Sequence, residues 1–199
     1  AEKPGRLHVS IDGGRTWSPR LAPREWRGVA VAGPQGQNMT AVALDGTVWT
    51  SDDQGETWTE RVTGLPPLQR VAASLSGREL VAATSGSYVY TSQDWGITWQ
   101  PRFREGPVNA VAVSGDGRLM AVAVPWHESL PDGRIHLSIN GGQNWTPFLE
   151  DAAWRSVAVS SRGLRVMAAS NPGRLWLSRG MSTTRGASGA ITGGAGDSV

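Results

Sequence analysis

Three aspartates in this chain each stand two residues after a serine and four before a threonine. They are Asp12 between Ser10 and Thr16, Asp53 between Ser51 and Thr57, and Asp94 between Ser92 and Thr98. A carboxylate in such a phrase could ligate a cation, serve as a general acid, or accept hydrogen bonds from a backbone folded around it. Gly14, Gly55 and Gly96 follow the aspartates by two residues, and Trp17, Trp58 and Trp99 close the phrases. Asp or Ser followed by Gly builds a compact turn, because side-chain oxygens accept nearby N–H groups and Gly takes backbone angles closed to other residues. The tryptophan then ties the turn to a sheet, and its burial is worth several kcal/mol at the usual ~25 cal/mol per Å². A fourth copy carries Ser138, Asn140, Gly142 and Trp145, with Asn140 and Asn144 in place of Asp and Thr. Ser178 opens a fifth that keeps neither Asp nor Trp.

Elsewhere the chemistry is scattered. Glu25, Glu105, Glu128, Glu150 and Asp151 could meet at the separation of a glycosidase pair, roughly 5–10 Å. Trp126, His127 and Glu128 bring an aromatic surface, an imidazole and a carboxylate into one segment. With three histidines and no cysteine, a zinc cluster, a disulfide framework and a cysteine nucleophile have no basis. No G-x-S-x-G elbow or phosphate-binding loop occurs. The expectation is no catalytic residue, no metal and no cofactor.

The elements that must hold these residues repeat. The phrase-opening serines are 41, 41, 46 and 40 residues apart. Between phrases run short apolar stretches, Gly28–Ala32, Arg70–Ser74, Asn109–Val113 and Arg155–Val159, each followed by a second such stretch and then a third that enters the phrase. Gly-containing turns separate them, and no useful length shows a 3.6-residue period. A 40-residue period with four short strands marks a propeller blade. The chain resembles the Asp-box (bacterial neuraminidase repeat) family of β-propellers at these phrases, over residues 7–182. The fold expected is all-β, with four-stranded antiparallel blades, about five of them, incomplete or closed by another segment. The resemblance implies that the phrases are structural turns between the third and fourth strands, remote from any active site. The Arg-Ile-Pro signature of the family's sialidases is absent.

Residues 1–180 read as the propeller, and 181–199 as a Gly/Ser/Thr-rich tail or linker. The 199 residues hold 19 basic and 17 acidic side chains, a net charge of +2 that argues against a nucleic-acid partner. Lys3 is the only lysine, so the positive charge is arginine. No stretch approaches the apolar length of a membrane-spanning helix. The start AEKPG fits a mature N-terminus after signal removal, so an extracytoplasmic or secreted place is expected. From Leu7 the count is a half blade, three full blades and a last blade with a doubtful fourth strand.

Connections in a propeller alternate between faces. The phrases share one face with the first-to-second turns. The other face carries the longer loops, among them the insertion 125–133 behind the 46-residue spacing. Binding residues are expected there: Trp126, His127, Glu128, Arg104, Glu105, Trp154 and Trp26. His8 and His136 occupy a position held elsewhere by Trp49, Tyr90 and Trp176, a packing column between blades. The function expected is a non-catalytic propeller that binds a protein or a glycan, or serves as scaffold in a larger complex. The alternative is a partial glycoside hydrolase of the sialidase kind.

Overall fold

The computed structural model describes residues 4–86, 88–125, 133–149, 153–171 and 173–178. Among these there is no helix. Seventeen strands form five antiparallel sheets in chain order. Blade 1 holds β1 (His8–Val9) and β2 (Ser18–Pro19). Blade 2 holds β3 (Trp26–Ala32), β4 (Asn38–Ala43), β5 (Val48–Ser51) and β6 (Thr59–Val62). Blade 3 holds β7 (Leu68–Ala73), β8 (Leu80–Thr84), β9 (Tyr88–Ser92) and β10 (Gln100–Arg104). Blade 4 holds β11 (Ala110–Val113), β12 (Met120–Val124), β13 (Arg134–Ser138) and β14 (Thr146–Leu149). Blade 5 holds β15 (Ala153–Val159), β16 (Val166–Asn171) and β17 (Arg174–Leu177). Each sheet is a simple meander, and the inner strands β3, β7, β11 and β15 pack side by side. The chain is a β-propeller. The expected tail at 181–199 lies outside the described residues.

The core lies between sheets rather than within one. Val42 and Val48 of blade 2 pack on Leu80, Ala82 and Trp99 of blade 3. Val81, Ala83 and Val89 of blade 3 pack on Met120 and Val122 of blade 4, and Ala121, Ile135 and Leu137 of blade 4 on Val157, Val166 and Ala168 of blade 5. Valine and alanine dominate because neighbouring sheets converge toward an axis and leave little width there. Gly28 shows how tight this is. A Cβ at Gly28 would stand 3.2 Å from the backbone N of Val71 in the next blade.

The turns between first and second strands are laced from blade to blade. Gly33 N donates to Leu75 O (2.7 Å), Leu75 N to Gly115 O (2.9 Å) and Gly115 N to Ser161 O (2.7 Å). The Ser-Asp phrases share this face. Gln54 N donates to Gln37 O, Trp95 N to Arg78 O and Gly141 N to Arg118 O, each within its own blade.

Candidate binding face

The four phrases close on themselves. In the second, Ser51 Oγ donates to Asp53 Oδ1 (2.7 Å) and accepts from Gly55 N (2.9 Å). Asp53 accepts from Thr57 N (2.9 Å) and from the Thr57 hydroxyl (2.5 Å), and Trp58 Nε1 donates to Gly55 O (3.0 Å). Asp12 and Asp94 repeat these contacts with Thr16 and Thr98. In the fourth copy Asn140 Oδ1 accepts from Ser138 Oγ (3.0 Å) and Asn144 N (2.9 Å). The threonine hydroxyls, then the threonine amides and the serines, pull Asp12 and Asp53 down to a pKa of about 2. Burial raises Asp94, and the hydrogen bonds of Thr98 and Ser92 outweigh it, leaving a lowered value. A carboxylate so bound stays ionised and has no proton to give near neutrality. Among the described residues no cluster of acids and histidines could hold a metal ion.

The opposite face is made differently. Inner strands enter it with a skipped residue. The register of β3 with β4 passes from Trp26↔Ala43 to Gly28↔Val42, leaving Arg27 outside the ladder. Gln69 is skipped in β7 and Arg155 in β15. Such bulges re-aim side chains and are frequent beside binding sites. Asn109, at the same place ahead of β11, donates its amide to Ala123 O (2.9 Å). Arg70 Nε donates to Asn109 O (3.1 Å), and Asn109 Nδ2 to Trp154 O (2.7 Å), so three successive blades are joined at this lip.

Farther out, Arg24 is ion-paired to Asp45 and bonded to the Thr47 hydroxyl (3.1 Å). It also lies over Trp26 (5.9 Å) and Trp49 (5.6 Å). Arg104 is exposed and stands 5.2 Å over Tyr88. Glu105 bridges to the next blade, with Oε2 2.6 Å from His136 Nε2 and Oε1 4.0 Å from Arg134. Burial pushes the His136 imidazole down, the Glu105 carboxylate draws it part of the way back, and Arg134 opposes that. Phe103 lies against the same imidazole at 4.8 Å. Asp45 and Glu105 are thus already engaged by Arg24 and Arg134 of this chain, while Arg70, Arg104 and Arg155 are exposed.

The residues expected to bind meet different fates. Trp126, His127 and Glu128, with Glu150 and Asp151, lie outside the described residues. Arg104 is on the surface, and Trp26 is half-buried beneath Arg24. Trp154 is a correction. It is 1 % exposed, packs edge-on against Trp176 at 6.1 Å and donates Nε1 to Gly133 O, so no ligand reaches it. The cause is its place at the head of β15, where the side chain turns into the interface with blade 4. Arg27, Gln69, Arg70 and Arg155 were not expected. Their signal is a polar residue at the head of each inner apolar run.

A sequence profile described as the BNR/Asp-box repeat matches residues 8–19 and 49–60. The chain carries Asp-box repeats. No curated protein matches the sequence. Among solved structures, a chain of a nidogen/laminin complex is 13 % identical with a TM-score of 0.65, over 88 % of this chain and 71 % of that one. YCF48 bound to a D1 peptide is 20 % identical with a TM-score of 0.62, over 88 % of this chain and 57 % of that one. The GH74 enzyme of Niastella koreensis is 15 % identical with a TM-score of 0.59, over 89 % of this chain and only 36 % of that one. These likenesses concern the fold.

Proposed function

We infer that the protein is a non-catalytic binding propeller that holds an extended, carboxylate-bearing segment of another protein across the face opposite its Asp-boxes. The observation that carries this is the row of polar residues at the skipped positions of the inner strands, with Arg70 and Arg155 exposed at the lip. Guanidinium groups offer paired donors to carboxylates. Among the described residues Asp45 and Glu105 of the same face are ion-paired to Arg24 and Arg134, while Arg70 and Arg155 are exposed. A propeller of the same fold has been solved with a D1 peptide bound, and another in a nidogen/laminin complex, which is consistent with association as the task of this architecture. A scaffold role in a larger complex and an extracytoplasmic place extend the same reading.

The test is binding of a fluorescein-labelled peptide of alternating Glu and Val, against its Lys counterpart. The Glu peptide should bind, weaken at least tenfold in Arg70→Ala/Arg155→Ala, and weaken further as salt shortens the screening length from about 10 Å at 0.1 M. Equal binding of the Lys peptide, or none of either, overturns the reading. Release of sugar from a β-glucan or a sialoside would instead establish the hydrolase alternative, which the GH74 likeness keeps in view.

A further inference from the structure

Blades 2 and 3 are both four-stranded, and where they meet on the Asp-box face a groove of about 380 Å3 opens between them. That volume falls within the range of small-molecule sites, about 300–1,000 Å3. Asn38, Asp52, Thr59 and Arg61 line it from blade 2, and Trp95 and Ile97 from blade 3. Trp95 is 47 % and Ile97 50 % exposed. Arg78 stands over the Trp95 ring at 5.6 Å and does not line the groove, so it steadies the indole without filling the space.

The indole is held in an unusual backbone. Trp95 has a φ of 57°, a left-handed conformation that bulky residues rarely adopt, while the equivalent positions hold Gly13, Gln54 and Gly141. A ring kept there by the rest of its turn points to a use for the ring. The charges of the groove are also unspent. Arg61 Nε donates to Thr50 Oγ1 (2.8 Å), which fixes the guanidinium and leaves its terminal N–H groups without an acceptor among the described residues. Asp52 is exposed and has no cation paired to it among those residues, Arg61 included. The next interface shows what Asp52 leaves undone. There Gln93, the equivalent residue, donates Nε2 to Gly141 O (3.1 Å) and joins blades 3 and 4. An ionised carboxylate has no proton to give to Trp95 O, the equivalent carbonyl, so the groove is not bridged at this point.

A guanidinium only donates and a carboxylate only accepts, so an unpaired one of each in a single groove matches a ligand that carries both charges. A monoanion or a monocation would meet one like charge there, and a sugar would leave both charges uncompensated. We propose that the groove between blades 2 and 3 binds a zwitterionic α-amino acid with an apolar side chain, its carboxylate on the Arg61 fork, its ammonium on Asp52 and its side chain against Trp95 and Ile97. The Arg61 fork supplies paired donors to the carboxylate. The site lies on the face opposite the arginine lip and is independent of it.

The experiment titrates L-leucine into the full chain by calorimetry, beside leucinamide, which lacks the carboxylate, and N-acetyl-leucine, which lacks the ammonium. Saturable binding of leucine with a Kd of about 1 mM or tighter is expected, and each derivative should bind at least tenfold more weakly. Arg61→Gln should weaken leucine at least tenfold and bring it level with leucinamide. Asp52→Asn should do the same for leucine and N-acetyl-leucine. Asp52→Gln, which copies Gln93, and Trp95→Gly, which copies Gly141, should abolish binding. The two derivatives probe the same contacts in the unaltered chain, so the result does not hang on a variant's folding. Absence of saturable leucine binding, or equal binding of leucine and both derivatives, overturns the proposal. So does undiminished leucine binding in Arg61→Gln or Trp95→Gly. Tighter binding of methyl β-D-glucoside than of leucine also overturns it, because the groove is then a sugar site. None of these outcomes involves Arg70 or Arg155, so the proposed arginine lip stands or falls separately.

Discussion

Blade 1 and blade 3 carry the same eight-residue phrase with the same internal hydrogen bonds, yet their tryptophans live in different surroundings. Trp99 is 9 % exposed and packed among Val42, Val48 and Leu80, whereas Trp17 is 62 % exposed. Both donate Nε1 to the glycine carbonyl three residues back, at 3.1 Å. The Asp-box therefore forms from local bonds alone, and burial is conferred by the blade before it. That separates two contributions usually counted together: the turn is intrinsic, and the tryptophan's hydrophobic term belongs to the interface.

The largest effect should fall on that distinction. Trp99→Ala removes a side chain from a filled interface and should cost about 3–5 kcal/mol. Trp17→Ala should cost below ~1 kcal/mol, since an exposed ring has little transfer energy to lose. Urea unfolding of the two variants gives both numbers. Equal costs would mean that the tryptophan stabilises its own turn and that the contrast between blades is without consequence. Blade 5 offers the same comparison. Ile135→Ala, buried against blade 5, should cost about 2–5 kcal/mol, and Leu175→Ala, at the corresponding place in blade 5 but 53 % exposed, a fraction of that.

Glycine sharpens the comparison at the next level. Gly142 and Gly14 are equivalent, with φ of 81° and 86°. A Cβ at Gly142 would meet Thr91 Cγ2 at 2.5 Å and Met120 Sδ at 3.0 Å, whereas at Gly14 the nearest atom is Trp17 at 3.9 Å. Gly14→Ala should cost only the left-handed backbone, about 1–2 kcal/mol. Gly142→Ala should add about 1–3 kcal/mol of overpacking against the preceding blade. Matching values would place the requirement for glycine wholly in the backbone.

How much could be read in advance follows from sequence distance. The boxes were legible because Ser51, Asp53, Gly55, Thr57 and Trp58 bond one another within eight residues. The strand meander was legible because its turns are punctuated by glycine. Trp154 looked like a surface aromatic because it follows a charged stretch, Glu150 and Asp151. What buries it is blade 4, which the local sequence does not show. Glu105 was expected to bind a ligand on the loop face, and it joins His136, a contact set by how blade 3 meets blade 4. Arg27, Gln69 and Arg155 stand at the heads of three of the four inner runs, but only the register shows that they leave the ladder.

A smaller effect comes from the buried imidazole between blades 3 and 4. His136 has its pKa lowered by burial, so the folded state resists the proton that the unfolded chain accepts near 6.5. Stability must then fall as pH drops below that value, and be fullest above it. His136→Tyr, which copies Tyr90 at the same column position, should flatten the decline between pH 7 and 5 in urea titrations.

The smallest effect, and the one that tests whether the turn is intrinsic, lies at lower pH. Asp12 and Asp53 are held at about 2, below the ordinary 3.8, chiefly by the hydroxyls of Thr16 and Thr57. A depressed carboxylate contributes stability that is whole above its unfolded value and is lost as pH falls from about 4 through about 2. Both aspartates are open to solvent, so each contributes modestly. The comparison lies in their likeness. If the box is a local device, Thr16→Val in blade 1 and Thr57→Val in blade 2 should raise the pKa of their own aspartates by similar amounts, read from carboxyl chemical shifts, although one tryptophan is exposed and the other half-buried. If the shift at Asp53 is much the larger, the neighbouring blade is tightening the turn as well as covering it, and the clean division between local bond and interface fails. Equal shifts place the carboxylate's energy in the eight residues themselves, which explains how a box can form in a blade with only two strands among the described residues.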